Sequence, residues 1–226
     1  MTEKELAKMI DHSYLKAFAT EAELKKICDE AKQYGFISVA INSVPVKFCA
    51  DYLKGSEVLT GAAIGFPLGQ TCIEIKQAEA AKAVQDGAGE FDYVLNVGKV
   101  KEHNWAYIEK EMQTMVAVAR KAKICCKVIF EICYLTDDEI IECAKIASRV
   151  KPDFVKTSTG FGTGGATVEA VRLMKKYAGP EVQVKAAGGI RTFEDAKAMI
   201  EAGATRLGTS KSIDIINGFR NSTQKV

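Results

Sequence analysis

Residues 154–160, with the sequence FVKTSTG, begin as a short apolar run and end in glycine. An apolar run that leads into a glycine turn predicts a buried strand followed by a loop. Lys156 falls on the last part of this strand, where an ammonium group is costly unless it is paired or functional. The run VQVKAAGG at residues 182–189 places Lys185 at the equivalent point of the next strand. Together the two runs predict two lysines held side by side.

Strand and helix patterns alternate along the whole chain on both sides of these runs. Seven strands have clear patterns, an eighth is predicted near Ile10, and residues 2–9 predict a short extra N-terminal helix. A sustained alternation without a linker predicts a parallel sheet with helical crossovers. Eight strands would close it into a (β/α)8 barrel of class α/β. An open doubly wound sheet has the same alternation and stays an alternative.

Length and composition indicate one domain. The chain has 226 residues, of which 47% are hydrophobic, and this suits a single barrel over residues 1–219 with a polar tail over residues 220–226. The net charge of +2 and the lack of a basic run argue against nucleic-acid binding. No apolar signal core or membrane-spanning run is present, so the predicted location is the cytoplasm.

Cysteine and histidine usage argues against a metal site. The seven cysteines are odd in number and none forms a C-x-x-C pair, which indicates reduced thiols rather than disulfides or a zinc site. Only two histidines are present. Of these, His12 is predicted to be a structural residue and His103 an exposed helix residue.

Polar side chains at the ends of the strands are the candidates for the active site. Side chains alternate along a strand, so Asp92, Lys127, Lys156 and Lys185 can all point into the barrel. Two ammonium groups about 5 Å apart at an effective dielectric of about 20 repel by roughly 3 kcal/mol, or about two pKa units. This repulsion would leave a free amine, the nucleophile that forms a Schiff base with a carbonyl compound.

Glycines after three successive strands indicate the ligand. Gly160, the pair Gly188 and Gly189, and the GTS run at residues 208–210 allow close approach of the backbone, and barrels commonly bind phosphate with these loops. Lys211 adds a positive charge beside the last turn. The expected ligand is a small phosphorylated carbonyl compound.

The run GFGTGG at residues 160–165 formally matches the dinucleotide motif G-x-G-x-x-G. That motif requires an acidic residue near the end of the next strand, where this chain has Lys185 followed by Ala186. The dinucleotide interpretation is therefore disfavoured.

Several motifs resemble the signatures of the deoxyribose-phosphate aldolase family, a group of class I aldolases. The most specific are VKTSTGF at residues 155–161 and VKAAGGIR at residues 184–191. Further matches follow the family's order over nearly the whole chain: IDH at 10–12, VAIN at 39–42, GFPLG at 65–69, EFDYVLN at 90–96 and GTS at 208–210.

The resemblance implies a (β/α)8 barrel that reversibly cleaves 2-deoxy-D-ribose 5-phosphate to D-glyceraldehyde 3-phosphate and acetaldehyde, with no metal and no organic cofactor. It implies that Lys156 forms the Schiff base. Lys185 would lower the pKa of Lys156 and take part in proton transfer. Asp92 would exchange protons through bound water, and Lys127 would be an additional lysine of the site.

The resemblance also implies a phosphate site built from the backbones of Gly160, Gly188, Gly189 and Ser210. Lys211 stands where the family usually has a small residue, and it is included in the predicted substrate-binding set together with Asn42. A homodimer or higher homo-oligomer is expected.

Two other functions remain open from the sequence. One is a different phosphate-binding barrel enzyme, such as an isomerase or a decarboxylase. The other is a non-catalytic protein that binds a phosphorylated sugar.

Overall fold

The computed structural model describes residues 1–223, and within them eight parallel strands form a closed barrel in sequence order. The predicted tail residues 224–226 lie outside this range. The strands are β1 Ile10–Ser13, β2 Ser38–Asn42, β3 Leu59–Ile64, β4 Glu90–Val94, β5 Cys125–Ile129, β6 Phe154–Lys156, β7 Gln183–Ala187 and β8 Arg206–Thr209.

Strand β1 closes the barrel. It pairs with β2 on one side and with β8 on the other, where Ile10 is in register with Leu207. The prediction of a strand near Ile10 is therefore confirmed, and the (β/α)8 barrel is confirmed over the open sheet. A strand of four residues gives only a weak pattern in the sequence. Hydrogen bonds to a neighbouring strand on each edge stabilise it in the barrel.

Helices connect the strands and cover the outside of the barrel. Short helices precede β1 and follow β4, and a 3₁₀ turn at Ile132–Tyr134 follows β5. The α-helices of the described chain are α1 Glu3–Ala7, α2 Glu21–Tyr34, α3 Val46–Leu53, α4 Ile73–Gln85, α5 Val97–Lys101, α6 Trp105–Ala122, α7 Asp137–Val150, α8 Val168–Tyr177, α9 Phe193–Glu201 and α10 Ser212–Thr223.

Two helix ends are set by specific local contacts. The connection between β4 and β5 forms two helices, because His103 adopts a left-handed conformation with φ of 53° and Asn104 then caps α6 by accepting a hydrogen bond from the Tyr107 amide. The last helix continues past the predicted start of the tail at residue 220. Arg220 anchors it by a two-fold contact with Glu3 of α1, at 2.7 Å for each hydrogen bond.

The apolar outer faces of the strands pack against the helices in one continuous core. All seven cysteines are free thiols, as predicted. None of the helices in the described range is long and apolar enough to cross a membrane.

One ion pair lies inside this apolar layer and was not expected from the sequence. Lys76 of α4 and Glu111 of α6 have side chains with no solvent exposure, and their charged groups are 2.6 Å apart. Lys76 also donates to the Val94 carbonyl at 2.7 Å, and Glu111 accepts from the Asn96 amide at 3.0 Å. The pair thereby ties two helices to the end of β4, the strand that carries Asp92.

We expect Lys76→Met to lower the free energy of unfolding by about 3–5 kcal/mol, because it leaves the Glu111 carboxylate buried without its counter-ion. Urea denaturation followed by circular dichroism measures the change. The double variant Lys76→Met/Glu111→Leu is the control, since removing both charges should restore most of the stability. A loss below about 1 kcal/mol in the single variant would contradict the prediction.

Candidate active site

The barrel interior brings together the four side chains that strand alternation predicted. Lys156 ends β6 and Lys185 lies beside it in register on β7. Both donate to the same carboxylate oxygen, Asp92 Oδ2, at 2.8 Å and 2.6 Å. Lys127 of β5 donates to the other oxygen, Asp92 Oδ1, at 2.9 Å. One carboxylate therefore holds three amines at the carboxyl ends of the strands.

The Lys156 amine is the easiest of the cluster to deprotonate. Its pKa is lowered from the usual value to about 8: burial is the largest cause, Asp92 acts in the opposite direction, and the positive charge of Lys185 adds to the lowering. The sequence analysis attributed the lowered pKa of Lys156 to repulsion between lysines, and that reason was incomplete. Loss of hydration is the largest contribution and repulsion between lysines is the smaller one, because Asp92 lies between the two amines.

Asp92 and Lys127 are held in their charged forms. Burial raises the pKa of Asp92, but Lys127, Lys156 and Lys185 outweigh burial and keep this pKa well below its usual value. Burial lowers the pKa of Lys127, yet Asp92, Glu90 and Asp11 raise it well above the usual lysine value. Lys127 therefore acts as a permanent cation rather than as a base at neutral pH.

Three further charged residues of this cluster were missed from the sequence. Asp11 of β1 contacts Lys185, and Glu90 of β4 lies 2.8 Å from Lys127. Arg206 of β8 donates to Asp11 at 2.7 Å and to Glu90 at 3.2 Å. Glu90 lies two residues before Asp92, so the alternation that found Asp92 could also have found Glu90.

A cavity of about 960 Å³ opens above Lys156 and Lys185. Its lining includes most of the predicted substrate-binding residues, namely Gly160, Gly188, Gly189, Ser210 and Lys211. Asn42 lies outside this lining and donates its side-chain amide to the Leu15 carbonyl at 3.4 Å, so its role in substrate binding stays a prediction.

The glycine-rich loop after β6 packs closely against the turn after β7. A side chain on Gly165 would come within 2.3 Å of the Gly188 carbonyl oxygen, and the Ala166 amide donates to that same oxygen at 3.0 Å. Gly160 and Gly188 both have φ of 87°, in the left-handed region that glycine adopts freely. The run that resembles a dinucleotide motif is thus needed for contact between two backbones.

Glu131 holds the beginning of this loop and was not singled out by the sequence. It adopts a left-handed conformation with φ of 58°, and its buried carboxylate accepts hydrogen bonds from the amide, at 3.1 Å, and the hydroxyl of Thr159. Thr159 lies three residues after Lys156, so Glu131 fixes the chain just beyond the reactive amine.

His12 is a structural residue, as predicted. Its ring nitrogens lie 2.8 Å from the Ser212 hydroxyl of α10 and 2.8 Å from the Glu30 carboxylate of α2. Burial lowers its pKa, although Glu30 opposes this. His12 therefore joins two helices to the wall of the barrel beside the cavity.

The barrel holds a buried lysine of lowered pKa beneath a glycine-lined cavity. These features define the class of enzymes that form a Schiff base with a carbonyl compound. Residues 6–219 match the family described as DeoC/LacD family aldolase. The chain belongs to this family.

Individual relatives agree with the family. A protein from Lactobacillus acidophilus named deoxyribose-phosphate aldolase is 54% identical over 216 residues, which are 96% of this chain and 91% of the relative. One of the same name from Thermococcus gammatolerans is 51% identical over 224 residues, 98% of this chain and 100% of the relative. The solved deoxyribose phosphate aldolase of Aeropyrum pernix, described as a unique tetrameric structure, has a TM-score of 0.91 and 31% identity, over 98% of this chain and 93% of that chain.

Proposed function

We propose that this protein is a class I aldolase that reversibly cleaves 2-deoxy-D-ribose 5-phosphate to D-glyceraldehyde 3-phosphate and acetaldehyde. The observation that carries the proposal is the buried Lys156 amine, with a pKa of about 8, held by Asp92 beside Lys185 beneath the cavity. The names of the relatives support the choice of substrate.

In the proposed reaction, the free amine of Lys156 attacks the aldehyde carbon C1 of the open-chain sugar. The resulting carbinolamine loses water to form an iminium ion. A base removes the proton of the C3 hydroxyl, and the C2–C3 bond breaks. Its electron pair moves onto the iminium to give an enamine, and glyceraldehyde 3-phosphate leaves. Protonation of the enamine at C2 and hydrolysis of the iminium release acetaldehyde and restore the amine.

Asp92 and Lys185 are the proposed proton-transfer groups. Asp92 accepts a hydrogen bond from the Lys156 amine, and Lys185 donates to the same Asp92 oxygen. Each can therefore reach the carbinolamine, directly or through one water. Lys127 is proposed to keep Asp92 ionised rather than to transfer protons, because its pKa is raised well above the usual value.

The phosphate group is proposed to bind at the glycine turns. Gly188 and Gly189 have left-handed φ angles of 87° and 79°, and with Ser210 they line the cavity. Arg191 also lines the cavity and has no ion pair within the described part of the chain, so its guanidinium can bind the phosphate. Lys211 contributes less, because its amine lies 3.2 Å from Asp214 at an exposed site.

Reduction of the iminium tests the proposal directly. We expect borohydride in the presence of acetaldehyde to add an ethyl group to the protein, to inactivate it, and to place the added mass on the peptide that contains Lys156. Mass spectrometry after proteolysis locates the addition. Labelling confined to other lysines would contradict the assignment of the nucleophile.

The alternatives predict different results in the same assay. An isomerase or decarboxylase would turn over its own substrate and show no inactivation that depends on borohydride. A binding protein would take up 2-deoxyribose 5-phosphate in calorimetry without releasing acetaldehyde. An aldolase both releases acetaldehyde and is trapped.

We also propose that the chain forms a homo-oligomer and acts in the cytoplasm. The relative from Aeropyrum pernix is described as tetrameric. The seven free thiols suit a reducing compartment. Light scattering coupled to gel filtration measures the mass of the assembly, and a mass of one chain would contradict the first of these proposals.

A further inference from the structure

The charged side chains inside the barrel form a closed ring in which the sign of charge alternates. Asp92 contacts Lys185, and Lys185 contacts Asp11. Asp11 accepts from Arg206, and Arg206 donates to Glu90. Glu90 contacts Lys127 at 2.8 Å, and Lys127 returns to Asp92 at 2.9 Å. The seventh charged group, Lys156, contacts the ring only through Asp92 among the ion pairs of the described chain.

The ring balances its own charge without Lys156. Its carboxylates, Asp11, Glu90 and Asp92, are matched by the cations Lys127, Lys185 and Arg206. The ring residues are all less than a tenth exposed, so solvent provides little compensation for a surplus charge. A proton on Lys156 therefore gives the buried cluster a net charge of +1, and loss of that proton makes it neutral.

Strands β2 and β3 do not change this count. They place uncharged residues in register with the ring, with Ser38 beside Asp11 and Gly61 beside Glu90. The further charged groups that line the cavity include cations, such as Arg191 and Lys211, and carboxylates, such as Glu30 and Asp214; these are at least partly exposed and therefore screened by water.

Glu90 and Arg206 are the members of the ring that contact none of Lys156, Lys185 and Asp92. We propose that they are positioning residues for the reaction: through the charge balance of the ring they set the proportion of Lys156 in its uncharged, nucleophilic form, which Arg206 increases and Glu90 decreases. Arg206 offsets the two carboxylates on either side of it, and Glu90 offsets Lys127 in the same way. This inference rests on the proposed function, because it concerns the ionisation of the proposed nucleophile.

Charge balance fixes the direction of the effect of each substitution. Arg206→Gln leaves the ring with a surplus negative charge, which favours the ammonium form of Lys156. We expect the rising limb of the pH profile of acetaldehyde capture at Lys156 to move about one pH unit towards alkaline pH. Glu90→Gln leaves a surplus positive charge and should move the limb about one unit towards acidic pH.

Capture is measured as the rate of reductive ethylation of the Lys156 peptide by acetaldehyde and cyanoborohydride, from pH 5 to 10, in the full chain. The reductant and the aldehyde respond to pH equally in all variants, so differences report on the protein. Arg206→Lys retains the charge and should leave the limb in place. The double variant Glu90→Gln/Arg206→Gln restores neutrality and should return the limb to within about 0.3 unit of the parent.

A purely structural role would lower capture at every pH without opposite shifts. Limbs that stay in place, or that move in the same direction in both single variants, would overturn the proposal. If one single variant does not fold, the other decides alone, because each has its own predicted direction. If the parent protein did not capture acetaldehyde at all, the proposed function would be contradicted. If the parent captured acetaldehyde but the variants had the same rising limb as the parent, only the proposal about the ring would be contradicted.

Discussion

Replacement of Lys156 by methionine is expected to lower kcat for 2-deoxyribose 5-phosphate by roughly 10⁴-fold or more, because no other amine is placed to form the iminium ion. Lys185 and Lys127 remain buried and bound to carboxylates, and Lys127 has a pKa well above the usual value. Methionine has nearly the volume of lysine and fills the same space. Asp92 keeps two of its three cationic partners, so the barrel should stay folded.

Acetaldehyde release in a coupled assay measures the loss, and circular dichroism checks the fold. Lys197→Met is the matched control, since it makes the same substitution at an exposed helical site whose side chain is 59% exposed. The control should retain full activity and stability. A Lys156→Met protein that still turned over within tenfold of the parent would show that the nucleophile lies elsewhere.

The sequence predicted the barrel and the centre of the site from two simple regularities. Alternation along the strands placed Lys127, Lys156 and Lys185 on inward faces, and glycines after the strands marked the cavity. Both signals are local, because the side-chain period of a strand and the turn that follows it are encoded within a few residues.

The other buried charged residues could not be predicted from such local patterns. Arg206 and Asp11 are separated by 195 positions along the chain and meet only because β8 pairs with β1 when the barrel closes. The Lys76–Glu111 pair depends on how two helices lie over β4, which no local pattern encodes. Asn42 was included in the substrate-binding set because of a motif, while its side chain donates to the Leu15 carbonyl in the loop after β1.

The relative contributions of lost hydration and of charge repulsion to the pKa of Lys156 could also be determined only from the structure. From the sequence, neighbouring lysines suggested that repulsion lowers the pKa of Lys156. The structure adds a shared carboxylate that offsets much of this repulsion and a buried position that removes water. Burial is therefore the main reason that the amine is available, with Lys185 making a smaller, directed contribution.

The second large effect is expected from Lys185→Leu. This substitution removes the positive charge that shares Asp92 Oδ2 with Lys156, so the full charge of that oxygen acts on the remaining amine. The pKa of Lys156 should rise from about 8 towards its usual value. A rise of about two units lowers the fraction of free amine at pH 7 by roughly 100-fold, and the loss of a proton-transfer group adds to this.

The pH dependence separates these two contributions. A raised lysine pKa means that the amine is protonated below the new value and becomes free above it, so kcat/KM should recover as the pH rises and its rising limb should move towards alkaline pH. A loss due only to proton transfer would be the same at every pH. Lys185→Arg keeps the charge and is the matched control, and its limb should stay near that of the parent. If Lys185→Leu lowered kcat/KM equally at pH 6 and pH 10, the role of Lys185 would be proton transfer and it would not control the protonation of Lys156.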